Sequence, residues 1–378
     1  MTPRPFQHGL VIGKFYPPHL GHEYLIRSAA LHSSAVTVAV LGSSVESLSI
    51  AQRVQWLQSA FADMPRVRIV GALDDVPVNY VDESIWQAHV GIMQEAVAHA
   101  DRTFAPLPKV DAVFSSESYG DRLASYFNCQ HVCLDQSRSL YPTSGTAVRA
   151  NVPSQWHMLS PVVQAGLAMR VVVLGAESTG TTTLSQDLAV ALRARGGVWT
   201  KTQWVAEYGR EYSANLLALA KAARPQASAY DIAWRSSDFA HVAQEQCRRE
   251  NIAAAHGSPV LVCDTDAWAT RIWHERYMSK PSSVVDAVAA GMPARALYIL
   301  TSERDVPYED DGLRDGEHLR SWMNQRFRDE LTAQSVPWIE VLGTAESRCE
   351  TALYTLDTLM GGHWTFASPL PTAANEGR

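Results

Sequence analysis

This chain of 378 residues has few cysteines, no excess of basic residues and no long apolar run. Each absence removes a class of function. No stretch approaches the ~20 apolar residues that a membrane span requires. Lysine and arginine number 32 against 39 acidic residues, a formal net charge of -7, whereas nucleic-acid binders concentrate positive charge on one face. The five cysteines (Cys129, Cys133, Cys247, Cys263, Cys349) are odd in number and scattered. Cys129 and Cys133 offer half a metal site, but no second pair or nearby His cluster completes it. They read as incidental thiols of a reducing compartment. Met1 to Pro5 lead directly into a hydrophobic segment, without the apolar core of a cleaved signal. The expectation is a cytoplasmic protein with no membrane and no DNA partner. Its ligands need only a small local cluster of positive charge.

Apolar residues make up 46% and charged residues 19%, ordinary for well-filled cores. The length suggests about two to three domains. Strands are expected at 9–13, 36–41, 67–70, 111–114 and near 131–134, with helices over 19–31, 50–62 and 83–100 between them. That alternation predicts an α/β, doubly wound parallel sheet. The pattern restarts at Arg170-Val171-Val172-Val173-Leu174. Two such domains are therefore expected, over 1–165 and 166–365, with a disordered tail at 366–378. There is no internal repeat and no low-complexity segment.

The densest signal is Gly13-Lys14-Phe15-Tyr16-Pro17-Pro18-His19-Leu20-Gly21-His22. It lies between a strand and a helix. His19 and His22 are three residues apart and share one face of a first helical turn. Unpaired N–H groups and the positive end of the helix dipole lie there too, which makes a phosphate site. The spacing resembles the G-x-F-x-P-x-H-x-G-H signature of nucleotidylyltransferases, which move an AMP-like group from ATP to a second substrate. Lys14, His19 and His22 are the catalytic candidates, and Gly13, Phe15 and Gly21 the ATP-binding ones. A Pro-terminated strand with two surface histidines is the alternative. Ligands of doubly wound sheets bind beyond the carboxyl ends of the strands, where Gly13 and Ser115-Ser116-Glu117 fall.

A second phosphate loop follows residue 174. Gly175 and Gly180 stand at the spacing of G-x-x-x-x-G-K-[ST] between a strand and a helix. Gly175, Ser178, Thr179, Gly180, Thr181, Thr182 and Thr183 are candidates for ATP binding, the Thr182 hydroxyl also for Mg²⁺. The lysine of that motif is absent, because Thr181 occupies its place. Losing one preorganised cation typically costs roughly 3–4 kcal/mol of transition-state stabilisation. Lys201, Arg210 and Arg314 are the candidates to replace it.

Strand 260–263 ends in Asp264-Thr265-Asp266, and an aspartate at a strand tip is how P-loop proteins hold Mg²⁺. Asp264 and Asp266 are both metal candidates. Glu207 is placed to take a proton from an attacking sugar hydroxyl, and Arg210, one turn on, to hold substrate or phosphate. As a lone motif E-x-x-R is also an ordinary surface ion pair. Asp305 to Gly316 is acidic and Gly-punctuated, which reads as a lid. Asp305 and Tyr308 would then meet substrate and Arg314 the phosphates, and a solvated acidic loop is the other reading. Val341-Leu342-Gly343-Thr344 resembles the last strand and adenine-side loop of nucleotide kinases.

Taken together, the chain resembles the NadR family of fused nicotinamide-mononucleotide adenylyltransferases and ribosylnicotinamide kinases. The matching stretches are Gly13–His22, Ser115–Gly120, Thr143–Arg149, Gly175–Thr183, Glu207–Glu211, Asp264–Asp266 and Asp305–Gly316. The resemblance implies that Ser144, Gly145, Thr146 and Arg149 hold the β- and γ-phosphates, Arg149 through a guanidinium that cannot lose its charge. His19, His22 and Lys14 would grip the α-phosphate while a substrate phosphate attacks it in line, releasing pyrophosphate. Tyr119 is a substrate-binding candidate. Trp86 either stacks on a pyridinium ring or packs in the core. Some NadR proteins begin with a helix-turn-helix module. With eight residues before the expected first strand, DNA binding by that route is not expected.

The resemblance implies ATP as co-substrate, Mg²⁺ as cofactor, and NMN, ribosylnicotinamide and NAD as small-molecule partners. Self-association is left open. An acceptor such as phosphopantetheine is a rival for the first domain, since its signature addresses only ATP. A second domain that senses nucleotide without chemistry is the rival that Thr181 favours.

Overall fold

The computed structural model describes residues 4–77, 79, 82–304 and 306–370. These form two compact units: one runs up to Val163 and resumes at Trp364, and the other is Gln164–His363. Both are α/β, and each is built on one parallel five-stranded sheet.

The first sheet comprises β1 (Phe6–Gly13), β2 (Ser33–Gly42), β3 (Val67–Leu73), β4 (Ala112–Ser115) and β5 (Gln130–Cys133), in the order β3-β2-β1-β4-β5. Val11 stands opposite Val38 on one side and Phe114 on the other. Side chains alternate between faces, so Leu10 joins Val90 and Leu123 in one core while Val11 joins Ile26 and Leu57 in the other. Helices cover both faces, which is why the central strands read as continuous apolar runs. The chain winds outward from β1 to β3 and then crosses to β4. The crevice beyond β1 and β4 is thus the switch point where such sheets bind ligands.

The second sheet comprises β6 (Met169–Leu174), β7 (Gln203–Val205), β8 (Val260–Asp264), β9 (Leu297–Thr301) and β10 (Trp338–Val341), in the order β10-β9-β6-β8-β7. Val171, Val172 and Val173 are fully buried. β6 delivers the Gly175 loop and its neighbour β8 delivers Asp264 to the same edge.

The tail departs from expectation at its start. Phe366 meets the Tyr16 ring edge-on at 5.9 Å, and Ala367 is hydrogen-bonded to Tyr16 and Ser47. An aromatic ring with a buried partner holds this segment in place, and 371–378 lie outside the described residues. Among the described residues no helix is long and apolar enough to cross a membrane.

Candidate active sites

In the first unit, β1 delivers Gly13 to a loop in which Phe15 adopts a left-handed φ of 47°. His19 is the N-cap of helix Leu20–His32, and His22 lies in its first turn. The two imidazoles stack with centroids 3.6 Å apart. Both Nδ1 atoms are buried without a hydrogen-bond partner. Burial, aided by the nearby Arg138, holds His19 down to about 4. Burial and the neighbouring His19 hold His22 well below the ordinary value. Buried polar atoms without partners are rare. A pair of them on a helix N-terminus fits an anion that both rings would grip.

Three partly exposed cations stand on this loop or near the pair. Lys14 Nζ reaches Glu46 Oε1 at 3.1 Å, and the other oxygen of Glu46 holds Arg53 at 2.9 Å in a pair with no solvent exposure. Arg53 also donates to the carbonyl of Lys14 at 2.8 Å, so it fixes the loop backbone. Arg149 arrives on helix Gly145–Ala150 and donates to the Tyr16 carbonyl at 2.6 Å. The Ser144 hydroxyl caps that helix by accepting from Ala147 N at 3.1 Å. Gly145 is required here, because a Cβ would stand 2.9 Å from the Tyr16 oxygen. Arg138 is the third, tied to Glu117 at 2.7 Å. Asp135 gathers the N–H groups of Ser139, Leu140 and Tyr141 beneath it. The sequence reading missed Arg138, Glu46 and Arg53, since no local motif marks residues that meet only through the fold.

Trp86 lies in the core, 8% exposed, with the Arg122 guanidinium over its ring at 4.4 Å. Tyr126 and Tyr119 flank it. Core packing is thus the reading of Trp86 that the contacts favour, and Tyr119 lies half-buried beside it.

In the second unit, Ser178 (φ 56°) and Gly180 (φ 87°) curl the loop, and Thr181 opens helix Thr181–Arg193. Left-handed residues at alternate positions of such a turn can aim successive N–H groups at an anion, as a nest does. A Cβ on Gly175 would stand 2.3 Å from Thr301 Oγ1. Thr182 Oγ1 donates to Asp264 Oδ2 at 2.6 Å. Gly175, Glu177, Thr181, Thr182, Glu207 and Asp264 line one cleft with Arg210 and Arg314, and Trp234, Trp273 and Tyr277 supply its apolar wall. Burial and the nearby Asp264 push Glu207 up to about 8, and burial pushes Asp264 up to about 6. Such a cluster of carboxylates, costly when desolvated and unmatched, fits cations arriving with a ligand. The hydroxyl and carboxylate of Thr182 and Asp264 are the oxygen donors that Mg²⁺ takes beside phosphates.

Four expectations change. Asp266 is no metal candidate: its carboxylate accepts from Arg295 Nε and Tyr298 Oη, both at 3.0 Å, and from Ala269 N at 2.9 Å. Lys201 is exposed and precedes β7, so it stands at the amino edge of the sheet, opposite the phosphate loop. The Thr179 hydroxyl is spent on Thr301 and the Ala176 carbonyl, both at 2.7 Å. Tyr308 sits under Arg320, 5.8 Å from it, and not on the cleft wall.

Arg314 donates to Ser178 Oγ at 3.3 Å and pairs with Asp311, which also pairs with Arg210. Thr183 is exposed in the first turn, and Asp305 lies outside the described residues. Sequence reading also missed Arg276, on Glu177 at 2.8 Å, and Arg348, which holds the carbonyls of Thr179, Ser302 and Gly343. Among the described residues no cluster of three His, Cys, Asp or Glu suits a metal.

The chain is similar to known proteins over most of its length. Residues 170–348 match the family described as AAA domain. The trifunctional NAD biosynthesis/regulator protein NadR of Escherichia coli K12 is 24% identical over 320 residues, covering 81% of this chain and 71% of that protein. Its counterpart in Salmonella typhimurium LT2 is 23% identical over 321 residues, with the same coverage. The chain is similar to the NadR proteins over four fifths of its length. A crystal structure of NadR in complex with NR superposes with a TM-score of 0.67 at 19% identity, covering 94% of this chain and 96% of that one. A second, in complex with NAD and AMP-PNP, gives 0.63 at 19%, covering 95% and 98%. At this identity those NadR structures speak for the shared fold.

Proposed function

We propose that the first unit transfers an adenylyl group from ATP to NMN, giving NAD and pyrophosphate, and that the second phosphorylates ribosylnicotinamide to NMN. The stacked His19–His22 pair with unpartnered nitrogens is the observation that carries the first reaction. Two N–H donors aimed at one phosphate stabilise charge on the α-phosphoryl group as the acceptor attacks. Lys14 and Arg149 would neutralise the departing pyrophosphate, and no covalent intermediate is needed. The relatives' NAD-biosynthesis name supports pyridine nucleotides over phosphopantetheine as acceptor.

For the second reaction, Glu207 is the base and its raised pKa suits proton removal from a sugar hydroxyl near neutrality. The aromatic wall of Trp234, Trp273 and Tyr277 suits a flat cationic ring. Mg²⁺ would be held by Thr182 and Asp264 and would supply charge neutralisation at the phosphates. Arg314 and Arg210 are the cations on hand where the P-loop lysine is missing.

Thr181 favours a second reading, a nucleotide sensor. One experiment separates the two: Mg-ATP with ribosylnicotinamide and no NMN, beside a parallel reaction with NMN, both followed by chromatography. NAD formed from the riboside supports both activities. NAD from NMN alone, with the riboside untouched, supports the sensor. No NAD from either overturns the assignment of the first unit.

A further inference from the structure

Tyr16 lies in the middle of the first phosphate loop and is 1% exposed. Its two polar ends have different duties. The carbonyl accepts from Arg149 at 2.6 Å. The hydroxyl donates to the Ala367 carbonyl at 3.0 Å and accepts from Ser47 N at 2.9 Å. Ala367 N donates in turn to Ser47 Oγ at 2.6 Å. The ring carries Arg149 at 4.8 Å and Arg53 at 5.3 Å, and Phe366 meets it edge-on. One backbone residue near the C-terminal end thus closes a hydrogen-bonded circuit with Tyr16 and Ser47. Ser47 follows Glu46, the residue that holds both Lys14 and Arg53.

The geometry points to Phe366–Ala367 as a C-terminal strap that makes Tyr16 the positioning residue for Arg149 and Lys14 in adenylyl transfer. The proposal rests on the adenylyl-transfer reading of the first unit. Among the described residues the strap hydrogen-bonds to Tyr16 and Ser47, not to a phosphate-gripping side chain. It fixes the Tyr16 ring at the far end, and through the ring and carbonyl it fixes Arg149. Through Ser47 it fixes the turn that sets Glu46. A misplacement of about 1 Å at a phosphate-contacting cation can cost on the order of a hundredfold in rate. A free strap leaves the Tyr16 ring, with two guanidiniums on it, able to shift by that much.

The test shortens the full chain after Thr365 and compares it with a chain shortened after Leu370. Three readouts are needed: kcat and KM for NAD formation from NMN, riboside phosphorylation, and amide hydrogen exchange over 14–22 and 43–49. Loss of 366–378 is expected to lower kcat for NAD formation roughly tenfold to a hundredfold and to speed exchange in both loops. Riboside phosphorylation stays within twofold, and the chain ending at Leu370 behaves as the whole protein. Should the shorter chain fold poorly, Phe366→Ala and Ser47→Ala decide, with Phe366→Leu expected to restore most of the rate. Unchanged exchange overturns the strap. Faster exchange with unchanged kcat overturns its positioning role. If the intact chain makes no NAD while strap loss still speeds exchange, the acceptor assignment fails and the strap stands.

Discussion

Thr182 donates its hydroxyl proton to Asp264 at 2.6 Å, and the hydroxyl of Thr181 turns to the same carboxylate. In a P-loop with its lysine, the residue at 181 would carry an ammonium toward the phosphates. Here it strengthens the grip on the carboxylate instead, and the only cations on the described cleft wall are Arg210 and Arg314. Both lean on Asp311, a carboxylate that incoming phosphates can displace.

Arg314→Ala should therefore lower riboside phosphorylation by about a hundredfold, the usual effect of removing one preorganised charge donor. NAD formation from NMN should stay within twofold. Adding Thr181→Lys to that variant should restore at least a tenfold gain. Steady-state rates with each substrate check this. A normal rate for Arg314→Ala would mean that the phosphates are neutralised by another group.

Glu207 supplies a pH signature. Burial and Asp264 push it up to about 8, which brings its titration into the range of an activity profile. A base works only when deprotonated, so kcat/KM for the riboside should rise with pH and level off above 8, because kcat/KM reports the free enzyme. Glu207→Gln should abolish that limb and cost a hundredfold or more. A pH–rate profile flat from 6 to 9 would remove Glu207 from the base role.

Asp264 and Asp266 are two residues apart in sequence and opposite in duty. Asp266→Ala leaves Arg295, 2% exposed at its side chain, with Glu250 alone. Breaking a buried pair in this way typically destabilises by about 3–5 kcal/mol. Thermal melting should show it, with little change in Mg²⁺ dependence for the fraction that stays folded. Asp264→Asn should do the reverse. It removes a buried carboxyl held up at about 6, so stability is kept or raised while riboside phosphorylation is lost.

This contrast marks what the sequence could convey. Both sheets were legible because covered parallel strands leave apolar runs, as in 171–173 and 38–41. The two phosphate loops were legible because local spacing at a strand-to-helix turn encodes them. Asp266 misled because an N-capping aspartate and a metal-binding one look alike at a strand tip, and only Arg295 and Tyr298, from distant positions, tell them apart. Glu46, Arg53 and Arg138 were silent for the same reason. Their partners lie 7 to 39 residues away, and no local motif links them. The strap was hidden because Phe366 stands alone in a polar, Pro-containing stretch that composition assigns to disorder.

His19 gives the last expectation, in which stability and ligand binding move together with pH. Its folded value is about 4 against 6.5 for a free imidazole, with burial the main cause. Between those values the unfolded chain binds a proton and the folded chain does not. The contribution of His19 to stability is thus fully retained above pH 6.5 and is lost progressively as pH falls to about 4, by about 3 kcal/mol at most. His22 acts in the same direction. Denaturant titrations at pH 7, 6 and 5 should show the decline, and His19→Asn should lessen it, with His22 carrying the remainder. A phosphate group against the imidazoles reverses the preference, because an adjacent anion favours the charged ring. ATP binding to the intact protein near pH 6 should take up protons, seen by calorimetry in buffers of different ionisation heats, and His19→Asn should remove most of that uptake. Equal uptake in the variant would place the ATP phosphates away from the histidine pair.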